Sequence, residues 1–203
     1  KNLRNILSLN ARTRAEQSHS WLKHVENIIN ALQKQPVHES SRVRVLINAL
    51  HSKSGGGVTY IRNMVPYLIQ NNDLDVHVVL QQKQVSLFED CLKNANTHII
   101  SNQNNFKEMF LTEQFLLPKL AKKIQANVII SAANYGPLWP SDTVTLLRNS
   151  LEVASVERRL RNMGYWFALT AATLISIIRA REAIAVSNYA KNASIGAPFK
   201  GLR

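Results

Sequence analysis

Cysteine occurs once in the 203 residues, as Cys91. A single thiol excludes an internal disulfide framework and any cysteine-rich zinc site within the chain, and it points to a reducing compartment. Acidic residues are also scarce, 13 against 25 Lys plus Arg, for a formal net charge of +12. Such a field favours anionic partners, whether nucleic acid, a phospholipid surface or phosphorylated ligands, without choosing among them. No apolar run reaches the roughly 20 residues that a bilayer span needs. The uncharged apolar stretch Gly164 to Ile178 has 15 residues and lies between Arg161 and Arg179. A buried helix of the domain is expected there; the alternative is a helix in a membrane interface with Tyr165 and Trp166 at its boundary. No basic start leads into an apolar signal core, so secretion is not expected. The chain opens on Lys1 rather than Met, as a processed or trimmed product would.

What is present is a hydrophobic content of 45%, enough for one large domain or one domain plus an arm. Residues 1–41 read as a basic arm in which Trp21, Leu22, Val25, Ile28, Ile29 and Leu32 recur at helical spacing. An apolar face of that kind is expected to dock on its own domain or on a partner helix; membrane contact is the alternative, which the short face and Glu26 on the polar side disfavour. From residue 42 to 203 short β-rich runs alternate with helical stretches. The runs are Val43–Leu50, Val76–Leu80, His98–Ser101, Val128–Ser131, Val144–Leu147 and Ala183–Val186. Helices are expected near 58–71, 84–95, 106–125 (with a kink at Pro118) and 155–181, and Ser187-Asn188 caps a last one. Strands buried on both faces and separated by helices predict an α/β fold with a doubly wound, mostly parallel sheet.

Gly55, Gly56 and Gly57 follow the first strand and precede a helix. Glycine lets backbone approach a ligand closely, and the free amides and positive pole of the following helix suit an anion. A dinucleotide fingerprint is excluded because no third glycine stands at the required spacing, and a P-loop because Lys53 and Ser54 come before the glycines. Among the six histidines no zinc spacing occurs, and no nucleophile elbow is present. His51 ends the first strand beside the glycines. Asn134 and Tyr135 follow the fourth strand, Arg148 and Asn149 the fifth, Ser187 the last. Ligands of an open parallel sheet bind beyond the carboxyl ends of its strands, so these residues are expected to share one cleft. Glu152 and Glu157 read as helix-start acids rather than a catalytic pair. No nucleic-acid-binding module is recognisable, and nucleic acid is not an expected partner.

The order of these pieces resembles the N-terminal half of a family-4 glycosyltransferase of the GT-B fold. The resemblance is carried by Gly55-Gly56-Gly57-Val58-Thr59-Tyr60 with Arg62-Asn63-Met64-Val65-Pro66-Tyr67-Leu68, by Glu113-Gln114-Phe115-Leu116-Leu117-Pro118, and by Ala126-Asn127-Val128-Ile129-Ile130-Ser131 with Asn134. Leu147-Arg148-Asn149-Ser150-Leu151 and Ala183-Ile184-Ala185-Val186-Ser187-Asn188-Tyr189-Ala190 complete it, over about residues 43–195. It implies metal-independent sugar transfer with retention, from a nucleotide-sugar donor to a glycan or lipid-linked acceptor, without a cofactor. Gly55, Gly56 and Gly57 would face the donor phosphates. Arg148 and Asn149 stand where many relatives place a His-Asp pair, so no catalytic histidine is assigned. The family's donor-binding domain, with its spaced glutamates, finds no match, and this chain is expected to have little activity alone. The alternative is a non-catalytic glycan-, lipid- or partner-binding module. The resemblance and the charge together imply a cytoplasmic protein, peripheral at an anionic inner-membrane face.

Overall fold

The computed structural model describes residues 20–33, 42–102, 105–139, 142–147, 160–187 and 190. Helix α1 (Trp21–Gln33) leads into strand β1 (Val43–Asn48) and helix α2 (Gly55–Gln70). Strand β2 (Leu74–Gln81), a 3-10 turn (Gln82–Gln84), the short helix α3 (Val85–Phe88) and strand β3 (Asn96–Ile100) follow. Helix α4 (Phe106–Leu111) runs through a π-helical segment (Thr112–Leu116) into α5 (Leu117–Lys123). The remainder is β4 (Val128–Ser131), β5 (Thr143–Leu147), α6 (Leu160–Arg179) and β6 (Glu182–Ala185).

The six strands form one sheet in the order β3-β2-β1-β4-β5-β6, and every adjacent pair is parallel. This is the doubly wound, Rossmann-like arrangement expected from the alternating pattern. Its strand order reverses between β1 and β4, which is where ligands of such sheets bind. Side-chain alternation sorts the core by face. Val45, Ile47, Val76, Val78, Ile130, Val144 and Leu146 point to one side and meet α1 and α2 through Ile28, Leu32, Ile61, Met64 and Leu68. Leu46, Val79 and Ile129 point to the other and meet α4 and α5 through Met109, Leu117 and Ala121. On that second side Leu147 and Ala183 pack on Ile177 of α6. The central strands β4 and β5 are buried throughout, whereas β3 has exposed Asn96, Thr97 and Ile99, as an edge strand does.

Helix α1 lies against α2 and reaches β6. Val25, Ile28, Ala31 and Leu32 are buried in the main core, and burying each large aliphatic side chain contributes roughly 1.5–3 kcal/mol. Trp21 and His24 pack edge-on against Tyr60 of α2, whose hydroxyl also hydrogen-bonds His24 Nε2. Leu22, on the helix's outer face, is exposed.

Three expectations change in detail. The helix expected over 84–95 is only Val85–Phe88, because the Phe88 carbonyl accepts from the amides of both Cys91 and Leu92 and the chain turns into β3. The break near Pro118 is not a kink at the proline but a π turn just before it, in which the Leu117 amide donates to the Thr112 carbonyl. Proline lacks an N–H, and its ring crowds the carbonyl four residues back; one wide turn relieves both. The apolar stretch in α6 is buried on one side only: Ala172, Thr173, Ser176 and Ile177 face inward, while Phe167, Ile175 and Ile178 are exposed. Among the described residues no helix is long and apolar enough to cross a membrane.

Candidate functional site

Two buried glutamines hold the segment that follows β1. Gln84 Nε2 donates to the carbonyls of Ala49 and Ser52, both at 2.9 Å, and Gln81 Nε2 donates to the Leu50 carbonyl at 3.0 Å. The Gln81 amide in turn donates to Gln84 Oε1 at 2.8 Å. Asn48, 2% exposed, accepts from the Leu50 amide through Oδ1. These bonds satisfy carbonyls that burial would otherwise leave unpaired, and they fix His51 at the end of the strand.

The glycines do not form a separate turn. Gly55, Gly56 and Gly57 are the first residues of α2 itself, three positions earlier than the helix start expected from the sequence. Gly55 has φ +53°, a left-handed conformation that glycine alone adopts without strain. The N-cap Ser54 makes no side-chain bond to the first turn, and the turn holds no acidic residue. A Cβ at Gly55 or Gly56 would meet nothing within 4 Å. Packing among the described residues therefore does not demand glycine at position 56, and the helix opens at the carboxyl edge of β1 with amides that its N-cap side chain does not engage.

Across the strand-order reversal, the loop after β4 is pinned from two sides. Gln114 of the π segment donates through Nε2 to the Gly136 carbonyl at 3.2 Å and accepts from the Leu138 amide through Oε1 at 2.7 Å. Ser176 Oγ of α6 accepts from the Gly136 amide at 3.2 Å. Gly136 is required sterically, since a Cβ there would lie 2.0 Å from Ser131 Oγ. So held, Tyr135 is buried and meets His51 edge-on, with ring centroids 5.2 Å apart. Phe106 and Phe110 also pack on Tyr135. Asn134 is buried beside it.

Beneath His51 lies a residue that the sequence motifs did not single out as a site. Glu113 is 0% exposed. Its Oε1 accepts from Asn48 Nδ2 at 2.6 Å and lies 2.9 Å from His51 Nε2, the latter contact falling off the hydrogen-bond direction. Glu113 Oε2 is buried with no hydrogen-bond partner among the described residues. A signal was present in the sequence: Met109, Glu113, Leu117 and Ala121 recur every four residues and are all buried, so a carboxylate occupies the apolar stripe of the helix.

Of the residues expected to share a cleft, His51, Asn134, Tyr135 and the glycines stand at the β1 and β4 ends. Ser187 follows β6 at the far edge and accepts from the Ala190 amide at 3.0 Å, a helix cap. Arg148 and Asn149 lie outside the described residues. A second polar cluster, on the β1-β2-β3 side, links Arg44 Nε to Asp75 Oδ2 at 2.7 Å, Asp75 to His77 Nε2 at 3.3 Å and His77 Nδ1 to His98 Nε2 at 2.9 Å. Burial raises the Asp75 carboxyl, but hydrogen bonds from Arg44 and His77 and their charges outweigh it and hold the group below its usual range. Burial, then the charges of His77 and Lys123, lower the His98 imidazole.

Comparisons with protein-family models, with curated proteins and with solved structures find no match.

Proposed function

We propose that this chain is the acceptor-side half of a retaining, metal-independent glycosyltransferase. It would transfer a sugar from a nucleotide-sugar donor to a glycan or lipid-linked acceptor at an anionic membrane face. The observation that carries the reading is the start of α2: three glycines, no capping bond from the Ser54 side chain and no first-turn acid, at the carboxyl edge of β1 where the strand order reverses. Backbone amides there suit the diphosphate that leaves with the nucleotide. His51, Asn134 and Tyr135 line the acceptor side next to it. A sheet edge forms only one wall of a cleft, so a second unit must close over the donor before transfer occurs. The net charge of +12 would draw the protein to anionic lipid.

The test is a transfer assay on the full natural chain with a panel of nucleotide sugars and lipid-linked glycan acceptors, the anomeric configuration of the product being read by NMR. Transfer with retention, unchanged by a chelator, is the expected result. Strict dependence on a divalent cation, inversion, or no transfer from any donor would overturn the reading. Glycan binding without transfer would leave a non-catalytic recognition module.

A further inference from the structure

Glu113 is an expensive residue where it stands. A buried carboxylate is tolerated when its oxygens are well paired, yet Glu113 takes one aligned hydrogen bond, from Asn48, and its Oε2 has none among the described residues. The same shape could be filled by an apolar side chain, as Met109 and Leu117 do one turn either side. The remaining contact is with His51. At 2.9 Å from Nε2 the carboxylate oxygen repels a ring lone pair and attracts a ring N–H, even off the ideal hydrogen-bond direction, so the contact favours the imidazole with its proton on Nε2. In that form the ring is an Nε2–H donor facing the carboxylate. Nε2 is itself buried, while the side chain as a whole is 24% exposed.

We propose that Glu113 holds His51 in its Nε2–H form, so that Nδ1 is left as a hydrogen-bond acceptor for a sugar hydroxyl at the reversal between β1 and β4. The identity of the hydroxyl rests on the glycosyl-transfer reading; the coupling between the two side chains does not. The chemistry of the two sides of this edge is complementary. The amides that open α2 are donors and suit phosphate, whereas an imidazole lone pair backed by a carboxylate repels anions and takes a hydroxyl. Tyr135, buried edge-on to His51 and in contact with Phe106 and Phe110, holds the imidazole ring in place. His51 is the hydroxyl-binding group, and Glu113 is a positioning residue acting through it.

Long-range proton–nitrogen correlation spectra of the full natural chain, labelled with ¹⁵N-histidine, read the tautomer directly. The expected His51 spectrum at neutral pH shows a protonated Nε2 and an unprotonated Nδ1. The near-isosteric Glu113→Gln should move it toward an averaged mixture, with backbone amide shifts elsewhere unchanged. Adding methyl glycosides of common hexoses and N-acetylhexosamines should shift Nδ1 in the native protein and not in Glu113→Gln. In the transfer assay, His51→Gln should raise the acceptor KM about three- to tenfold, the value of one hydrogen bond, with the donor KM unchanged. An averaged or Nδ1–H His51 in the native protein overturns the proposal without any variant having to fold. So does a tautomer indifferent to Glu113→Gln, or an Nδ1 that no glycoside perturbs. If the coupling and glycoside shift hold but no donor supports transfer, the hydroxyl site stands and the glycosyl-transfer reading falls.

Discussion

Gly136→Ala puts the steric reasoning about the site to its sharpest test. Gly136 has no positive φ, so the substitution carries no backbone strain. What it meets is Ser131, the last residue of β4: the new Cβ would lie 2.0 Å from Oγ and 2.8 Å from the serine Cβ, with Thr143 Cγ2 at 3.5 Å. Neither serine atom is the end of a long, flexible chain, and Ser131 is fully buried, so backbone must shift. Overpacking of this kind costs about 1–3 kcal/mol, and the short contact with Oγ argues for the upper half of that range. At roughly 2–4 °C per kcal/mol for a chain of this size, the melting temperature should fall by about 4–12 °C. Urea denaturation followed by circular dichroism should show a lower midpoint at unchanged slope. The double mutant assigns the cause. Ser131 Oγ has no hydrogen-bond partner among the described residues, so Ser131→Ala alone should be close to neutral. Combined with Gly136→Ala it should recover part of the loss, because it removes the 2.0 Å contact and leaves the 2.8 Å one. A Gly136→Ala protein that melts within about 1 °C of the native one, or a loss that Ser131→Ala leaves untouched, would refute the close approach and with it the placement of Tyr135.

Three further outcomes follow from other parts of the molecule. Gly56→Ala should raise stability by up to about 1 kcal/mol, since alanine is the better helix former and meets no neighbour, yet reduce transfer by the full chain; a gain in stability with transfer unchanged would remove the glycines from the donor site. Leu32→Ala should cost about 2–5 kcal/mol by urea titration because the side chain is fully buried, and a loss under about 0.5 kcal/mol would show that α1 does not dock on α2. Acidification should destabilise the fold in two windows. His98 is held below its ordinary 6.5, so its contribution is complete above that pH and is lost as pH falls below it, where the unfolded chain takes up the proton first. Asp75 is held below 3.8, so its contribution persists down to that pH and is lost below it. Urea midpoints that stay flat from pH 7 to pH 5, or a slope there that His98→Gln does not reduce, would contradict the first window.

The class of fold was legible because it rests on local periodicity. Val43 to Leu50 and Val128 to Ser131 read as buried strands from composition alone, and the helical repeat in α1 announced a face that the core then covered. Boundaries were less legible where one residue's chemistry overrode the period: Pro118 widened a helix into a π turn, and the double acceptor at Phe88 stopped α3 after four residues. The glycines and His51 could be placed near one another since strand ends of a parallel sheet share an edge. Glu113 escaped because helix periodicity treats a buried position as apolar.

Sequence order alone is enough to decide that this chain builds a parallel sheet with helices on both faces and ends β1 on a polar, glycine-rich segment, since these follow from contacts within a few residues. Which strands become neighbours was settled by packing. The order β3-β2-β1-β4-β5-β6 brings positions 48, 51, 113 and 135 together, and these come from three separate stretches of chain. That meeting depends on long-range contacts, among them the Gln81 and Gln84 amides that seat one loop and the Gln114 amide that seats the other. A carboxylate on an apolar stripe acquires a role only when the fold sets a histidine 2.9 Å from it.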